Sequence, residues 1–127
     1  MFRVFIDTHF AAAHALHGYD GECRDLHGHT WKVRVEVQTD HQDAVGIGMD
    51  FKALKAQVRT VIDRLDHHHI NAVPPFDKIN PTAENLAKYI YDEVKGGLPA
   101  HAAMSQVVVW ESDHYAVSYY EESSPVC

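Results

Sequence analysis

His27-Gly28-His29-Thr30-Trp31-Lys32-Val33-Arg34-Val35-Glu36-Val37-Gln38-Thr39 decides the fold of this chain. From Trp31 onward, apolar and polar residues alternate strictly, the period of a strand with one face buried and one in water. Thr30 to Thr39 is the clearest strand in the sequence. His27 and His29 share parity with Trp31, Val33, Val35 and Val37. If the strand begins that early, both imidazoles face the core side by side, and an inward histidine pair requires a partner.

Outward from this strand the punctuation is regular. Val4 to Phe10 reads as a first strand, and Gly18-Tyr19-Asp20-Gly21 as a turn. Gly46 to Met49 is a loop, after which Asp50 can cap a helix. Phe51, Leu54, Val58, Ile62 and Leu65 recur at spacings of three and four, and place one apolar stripe on that helix, which should end near Asp66-His67. Thr82 caps a second helix through Val94, with Leu86 and Ile90 inward and Gly96-Gly97 as its stop. Val107 to Glu111 and Ala116 to Tyr120 are two final strands around a polar turn. The order ββααββ predicts an α+β domain, an antiparallel four-stranded sheet with two helices on one face.

Bulk properties narrow the function. At 127 residues the chain suits one domain with a real core. A formal net charge of -7 argues against a nucleic-acid binder that works by general phosphate attraction. No apolar run is long enough to span a bilayer, so no membrane is expected. Met1 to Ile6 lacks the long apolar stretch of a signal peptide and reads as the start of a strand. Two cysteines, Cys23 and Cys127, do not form a disulfide framework, which fits a reducing cytoplasm.

The strongest constellation is His14 with His27 and His29. Side chains at i and i+2 of a strand lie on one face within reach of one metal ion, and a third histidine supplies a third tetrahedral corner. Three neutral imidazoles favour zinc, with iron and nickel also compatible. The plain alternative is a pair of polar residues in a turn before the strand. Cys23, four residues before His27, is readable as a fourth ligand closing a structural site, as a thiolate base or nucleophile, or as a small buried residue. In Leu65-Asp66-His67-His68-His69, Asp66 can orient His67 for proton transfer, or the histidines can simply complement a helix C-terminus. Glu111 shares parity with Val107 and Val109. Turned inward it needs a bidentate donor, such as Arg or an amino-pyrimidinone edge; otherwise it faces water at the strand end.

In order along the chain stand Phe10-Ala11-Ala12-Ala13-His14, Cys23 with three residues before His27-Gly28-His29, Met49-Asp50-Phe51 with Leu54-Lys55, Leu65-Asp66-His67 with Asn71, Asn80-Pro81-Thr82-Ala83-Glu84, and Glu111. This ordered set resembles the 6-pyruvoyltetrahydropterin synthase superfamily, and most closely its bacterial branch, the 6-carboxytetrahydropterin synthases of queuosine biosynthesis. The resemblance covers essentially the whole chain. It implies the tunnelling fold (T-fold), in which trimers close their sheets into an oligomeric barrel and two trimers stack into a homo-hexamer with active sites between subunits. It implies zinc on His14, His27 and His29, Cys23 as catalytic base, Asp66 and His67 as its proton-relay partners, and Glu111 as anchor of the pterin ring. The implied substrate is 7,8-dihydroneopterin triphosphate, converted with water to 6-carboxy-5,6,7,8-tetrahydropterin, acetaldehyde and triphosphate. Ser112 stands where the family often has Thr after the anchoring Glu. Three residues between Cys23 and His27 match the carboxy branch, whereas the pyruvoyl branch has a longer insertion. A 6-pyruvoyltetrahydropterin synthase is the alternative activity. The alternative of another class is a non-catalytic protein whose zinc site is closed by Cys23 together with His14, His27 and His29. The acidic chain must hold the triphosphate with local bases such as Arg24, Lys32 or Lys78, or with backbone donors.

Overall fold

The computed structural model describes residues 1–18 and 25–122. Among the described residues its elements are β1 (Phe2–His14), β2 (His27–Thr39), α1 (Phe51–Ile62), α2 (Ala83–Lys95), β3 (Ala103–Ser112) and β4 (Tyr115–Tyr119), with a 3-10 turn at Ile70–Ala72 between the helices. The sheet order is β1-β2-β3-β4, every neighbouring pair antiparallel. The ββααββ order of the sequence reading is the observed one.

The alternation in β2 works as its pattern requires. Trp31, Val33, Val35 and Val37 are fully buried, and Met104, Val107 and Val109 of β3 join them from the next strand. Leu54, Val58, Val61 and Ile62 of α1 and Leu86, Ala87, Ile90, Tyr91 and Val94 of α2 close this core from one face. Each fully buried Val or Leu contributes about 1.5–3 kcal/mol of apolar transfer energy. Asp50 caps α1 through Lys52 N–H, and Thr82 caps α2 through Asn85 N–H (3.1 Å).

The elements run longer or shorter than their patterns predicted. β1 extends from Phe2 to His14 because Ala11 to Ala13, helix formers in isolation, are held in register opposite Thr30 to Gly28. α1 ends at Ile62, four to five residues early; Leu65 stays fully buried but sits on the turn that follows. Phe51, placed on the stripe by periodicity, is 64% exposed at the first turn, and Val61 takes the buried position instead. Gly97 is needed for a close approach: a Cβ there would collide with the Gln57 amide, which donates to Val94 O (2.7 Å).

Because β1 is an edge strand, its outer backbone groups need partners. From Ala11 onward they have them. Ala11 N–H donates to Asp66 Oδ1 (3.0 Å), His67 N–H donates to Ala11 O (2.6 Å), and Ala13 N–H to His68 O (3.2 Å). Past the strand end, the Asn71 side chain pairs with both backbone groups of Ala15, and Asn80 does the same for His17. The outer face of the sheet is polar and cationic. There Asp7 holds Arg34 through two hydrogen bonds (2.7 and 3.0 Å), Arg34 lies over Phe5, and Lys32 lies over Trp110.

Candidate metal and pterin site

β2 begins at His27, so both of its histidines face the core side, as their parity requires. His14 ends β1 directly opposite His27, and Ala12 lies opposite His29. Cross-strand pairing therefore brings the three imidazoles together: ring centroids are 4.6 Å apart for His14–His27, 4.5 Å for His27–His29 and 5.2 Å for His14–His29. Trp31, the next inward residue of β2, forms the floor, edge-on to His14 (4.9 Å) and to His29 (5.1 Å).

The hydrogen bonds fix which nitrogen each ring presents. His14 Nδ1 donates to Pro81 O (2.7 Å) and His27 Nδ1 to Asp25 O (2.7 Å). The neutral tautomer so selected leaves a lone pair on each Nε2, and these two atoms lie 3.1 Å apart. Two lone pairs at that distance repel unless a proton or a metal ion stands between them. His29 Nε2 is buried without a hydrogen-bonding partner. A tetrahedral zinc with Zn–N of about 2.0–2.1 Å needs nitrogens separated by about 3.3 Å, so the donor set fits such an ion. Burial is the main cause holding His14 and His29 below the ordinary histidine range, which keeps both in the neutral form that ligation requires.

Glu111 joins this group. Its Oε1 lies 3.1 Å from His29 Nε2, 3.5 Å from His14 Nε2 and 4.0 Å from His27 Nε2; the shortest contact is out of line for a hydrogen bond. The four ligand atoms lie within 4.8 Å of one another. Local backbone irregularity aims it there. Trp110 pairs with Ala116 and Ser112 with Tyr115, so Glu111 is an extra, unpaired residue at a β-bulge, a device that re-aims side chains. The sequence reading left Glu111 either inward by parity or facing water at the strand end; the structure turns it toward the three imidazoles.

Asp66 and His67 are placed elsewhere. Both lie on the turn after α1, against the outer edge of β1 at Ala11, three residues before His14. Asp66 is held below the usual carboxylate range, chiefly by the Ala11 N–H, with the charges of His67 and Arg59 adding to it. His67 Nε2 lies 3.7 Å from Asp66 Oδ1. His67 has φ +58°, a left-handed backbone that a non-glycine residue rarely adopts, and its side chain is 81% exposed. Such strain is characteristic of functional positions. Among the described residues, no hydrogen bond or ion pair joins this dyad to the triad. Cys23 and Arg24 lie outside the described residues. Lys32, one of the cations weighed for the triphosphate, is on the opposite face of β2 from the histidines, 3.8 Å from Asp7.

Sequence reasoning missed two tautomer-setting groups, the carbonyls of Asp25 and Pro81. The segment Asn80-Pro81-Thr82 reads as a helix start, and it is one; it also sets the His14 tautomer. A backbone acceptor has no residue-type signature, so nothing in the sequence could have marked it.

The comparisons with known proteins bear on the family and the fold. The chain is 33% identical to "Dihydroneopterin monophosphate aldolase" of Pyrococcus furiosus, over 91% of this chain and 94% of that one. It is 30% identical to "6-carboxy-5,6,7,8-tetrahydropterin synthase" of Haemophilus influenzae, over 95% of this chain and all of the relative. The solved structure of the Caenorhabditis elegans 6-pyruvoyl tetrahydropterin synthase superposes with a TM-score of 0.84 at 24% identity, covering 95% of this chain and 96% of that one, and so shares the fold. The sequence profile of 6-pyruvoyl tetrahydropterin synthase matches residues 3–122, and with full-length relatives above 30% identity it makes this chain a member of that family.

Proposed function

We propose that the chain is a zinc-dependent 6-carboxy-5,6,7,8-tetrahydropterin synthase of queuosine biosynthesis, acting in the cytoplasm on 7,8-dihydroneopterin triphosphate. The observation that carries the reading is the convergence of three imidazole Nε2 atoms, two with their tautomer fixed by backbone carbonyls, beside one carboxylate. His14, His27 and His29 would hold the ion. When bound, zinc would supply Lewis acidity toward the side-chain oxygens of the substrate.

Cys23 takes a proton from the substrate side chain as thiolate, and His67, oriented by Asp66, returns one. Glu111 accepts hydrogen bonds from the amino and ring N–H groups of the pterin, for which it must turn from the imidazoles it now faces. Its 3.1–4.0 Å distances to the three Nε2 atoms favour a second reading, Glu111 as a ligand. Glu111→Gln separates the two. An anchor predicts a raised KM with one zinc still bound per chain; a ligand predicts loss of zinc.

Two features support a shared site in a homo-oligomer, the hexamer of the T-fold. His67 projects into solvent, and among the described residues no hydrogen bond or ion pair joins it to its own triad. The outward-directed backbone groups at Arg3, Phe5 and Asp7, which follow the period of Ala11 and Ala13, have no partner among the described residues and form a free edge for another subunit. Mixing His27→Ala with His67→Ala subunits should then restore turnover that neither has alone.

The deciding experiment is incubation with 7,8-dihydroneopterin triphosphate, with product analysis and metal quantification on the same sample. Acetaldehyde release identifies the carboxy reaction, and a pyruvoyl product identifies the alternative synthase. Cleavage of the monophosphate alone would place the chain with the Pyrococcus relative. A closed structural site would show sulfur bound directly to zinc by X-ray absorption and no turnover.

A further inference from the structure

Arg59, on the last turn of α1, is tied to both the strand edge and the Asp66 carboxylate. Its Nη1 donates to Thr8 Oγ1 (3.1 Å) and His9 O (3.2 Å) on β1, while Nη2 donates to Asp63 Oδ1 (2.6 Å) and lies 3.5 Å from Asp66 Oδ2. Asp66 is thus held from both oxygens: Oδ1 by the Ala11 N–H, Oδ2 by the guanidinium. A carboxylate that must orient an exposed imidazole on a strained turn cannot rely on packing, because neither side chain is buried. Fixed donors must set its position instead.

We propose that Arg59 is a positioning residue of the reaction: by gripping β1 and Asp66 together, it fixes the carboxylate that orients His67. The proposal rests on the reading of Asp66 and His67 as the proton-relay pair. The alternative is a clamp that only fastens α1 to β1. The two differ in what charge does, since the clamp needs hydrogen bonds and the positioning role needs the cation beside Asp66.

Around Asp66 the charged and titratable groups are Arg59 and Asp63 of α1 and its cap, and His67 and His68 on the same turn, with His68 Nδ1 donating to the Asp66 carbonyl (2.6 Å); β1 presents Thr8, His9 and Ala11 through a hydroxyl and backbone groups. Removing the Arg59 cation frees Asp66 Oδ2, leaves Asp63 facing it, and makes the field around the pair more negative. The limb of the kcat–pH profile that responds to this field should therefore move to higher pH.

The test compares Arg59→Gln, which keeps donors but loses charge, with Arg59→Lys, which keeps charge, in the full-length zinc-loaded protein. Asp66→Asn and His67→Gln serve as reference variants. Arg59→Gln should lower kcat about tenfold with KM and zinc content unchanged and shift that limb by about half a pH unit or more, and Arg59→Lys should recover most of both. An Arg59→Gln enzyme with parental kcat and pH profile, or one whose losses follow its melting temperature with the profile unmoved, overturns the proposal. If Asp66→Asn and His67→Gln themselves turn over like the parent, the relay reading has failed, whatever Arg59 does. Should Arg59→Gln not fold, Arg59→Lys alone decides: a lowered melting temperature with parental kcat supports positioning by charge, and a kcat that falls together with the melting temperature refutes it.

Discussion

The histidine triad and the Asp66–His67 pair both sit against the same strand, β1, and are built in opposite ways. The triad grows out of the ladder itself: His14 faces His27 across β1 and β2, and the imidazoles inherit their direction from the pleat. The dyad hangs on the outer edge of β1, on a turn with one left-handed residue, its imidazole in solvent. A metal site needs several donors fixed within a few tenths of an ångström, and paired strands supply that. On the proposed reading, a proton relay needs one imidazole free to reach a reacting carbon, and an exposed turn supplies that.

The largest effects should fall on the triad. His27→Ala should lose both zinc and turnover, whereas Cys23→Ala should abolish turnover, a loss of about 10^2–10^4-fold for a general base, with zinc retained. Metal content by plasma emission beside a product assay checks both. Zinc loss in Cys23→Ala would make the thiol a ligand and sink the mechanism.

On the dyad the same kind of change should split stability from activity. His67→Gly removes the relay imidazole, and should cut turnover by about 10^2–10^4-fold. Because φ +58° is unstrained for glycine, it should also leave the protein as stable or more so, by up to about 1 kcal/mol. Urea unfolding and zinc content on that variant show whether the two regions are separable; a fall in zinc would join them.

The smallest effect is on acid stability. Asp66 in the folded chain is held below its ordinary value of 3.8. The folded state therefore binds fewer protons there than the unfolded chain, and the stability this contributes is present above that value and lost as pH falls through the lowered one. Asp66→Asn should be less stable than the parent at pH 6 but lose less between pH 5 and pH 3. Parallel urea midpoints at the two extremes would contradict this.

Much of this architecture is legible in the residues alone. Alternation in Trp31 to Val37 is a consequence of the two-residue pleat, so it announces both the strand and the inward side of His27 and His29. Caps at Asp50 and Thr82 announce the helix starts, because few residue types satisfy the free N–H groups. The early end of α1 is not legible, since Leu65 keeps the helical spacing while packing from a turn. Nor is the position of Glu111, whose parity is right but whose aim comes from a bulge that depends on how β4 pairs with β3.

The central strand, its buried face, the ββααββ order and the residue types of the candidate metal site all follow from the order of amino acids. These are local properties, set by side-chain period and backbone capping. Long-range packing was needed to decide that His14 meets His27, that the Pro81 carbonyl selects the His14 tautomer, that Glu111 joins the imidazoles, and that Arg59 grips Asp66. Each of these brings groups together through strand register, a turn or a backbone carbonyl, and none of those leaves a mark on the identity of the residues involved.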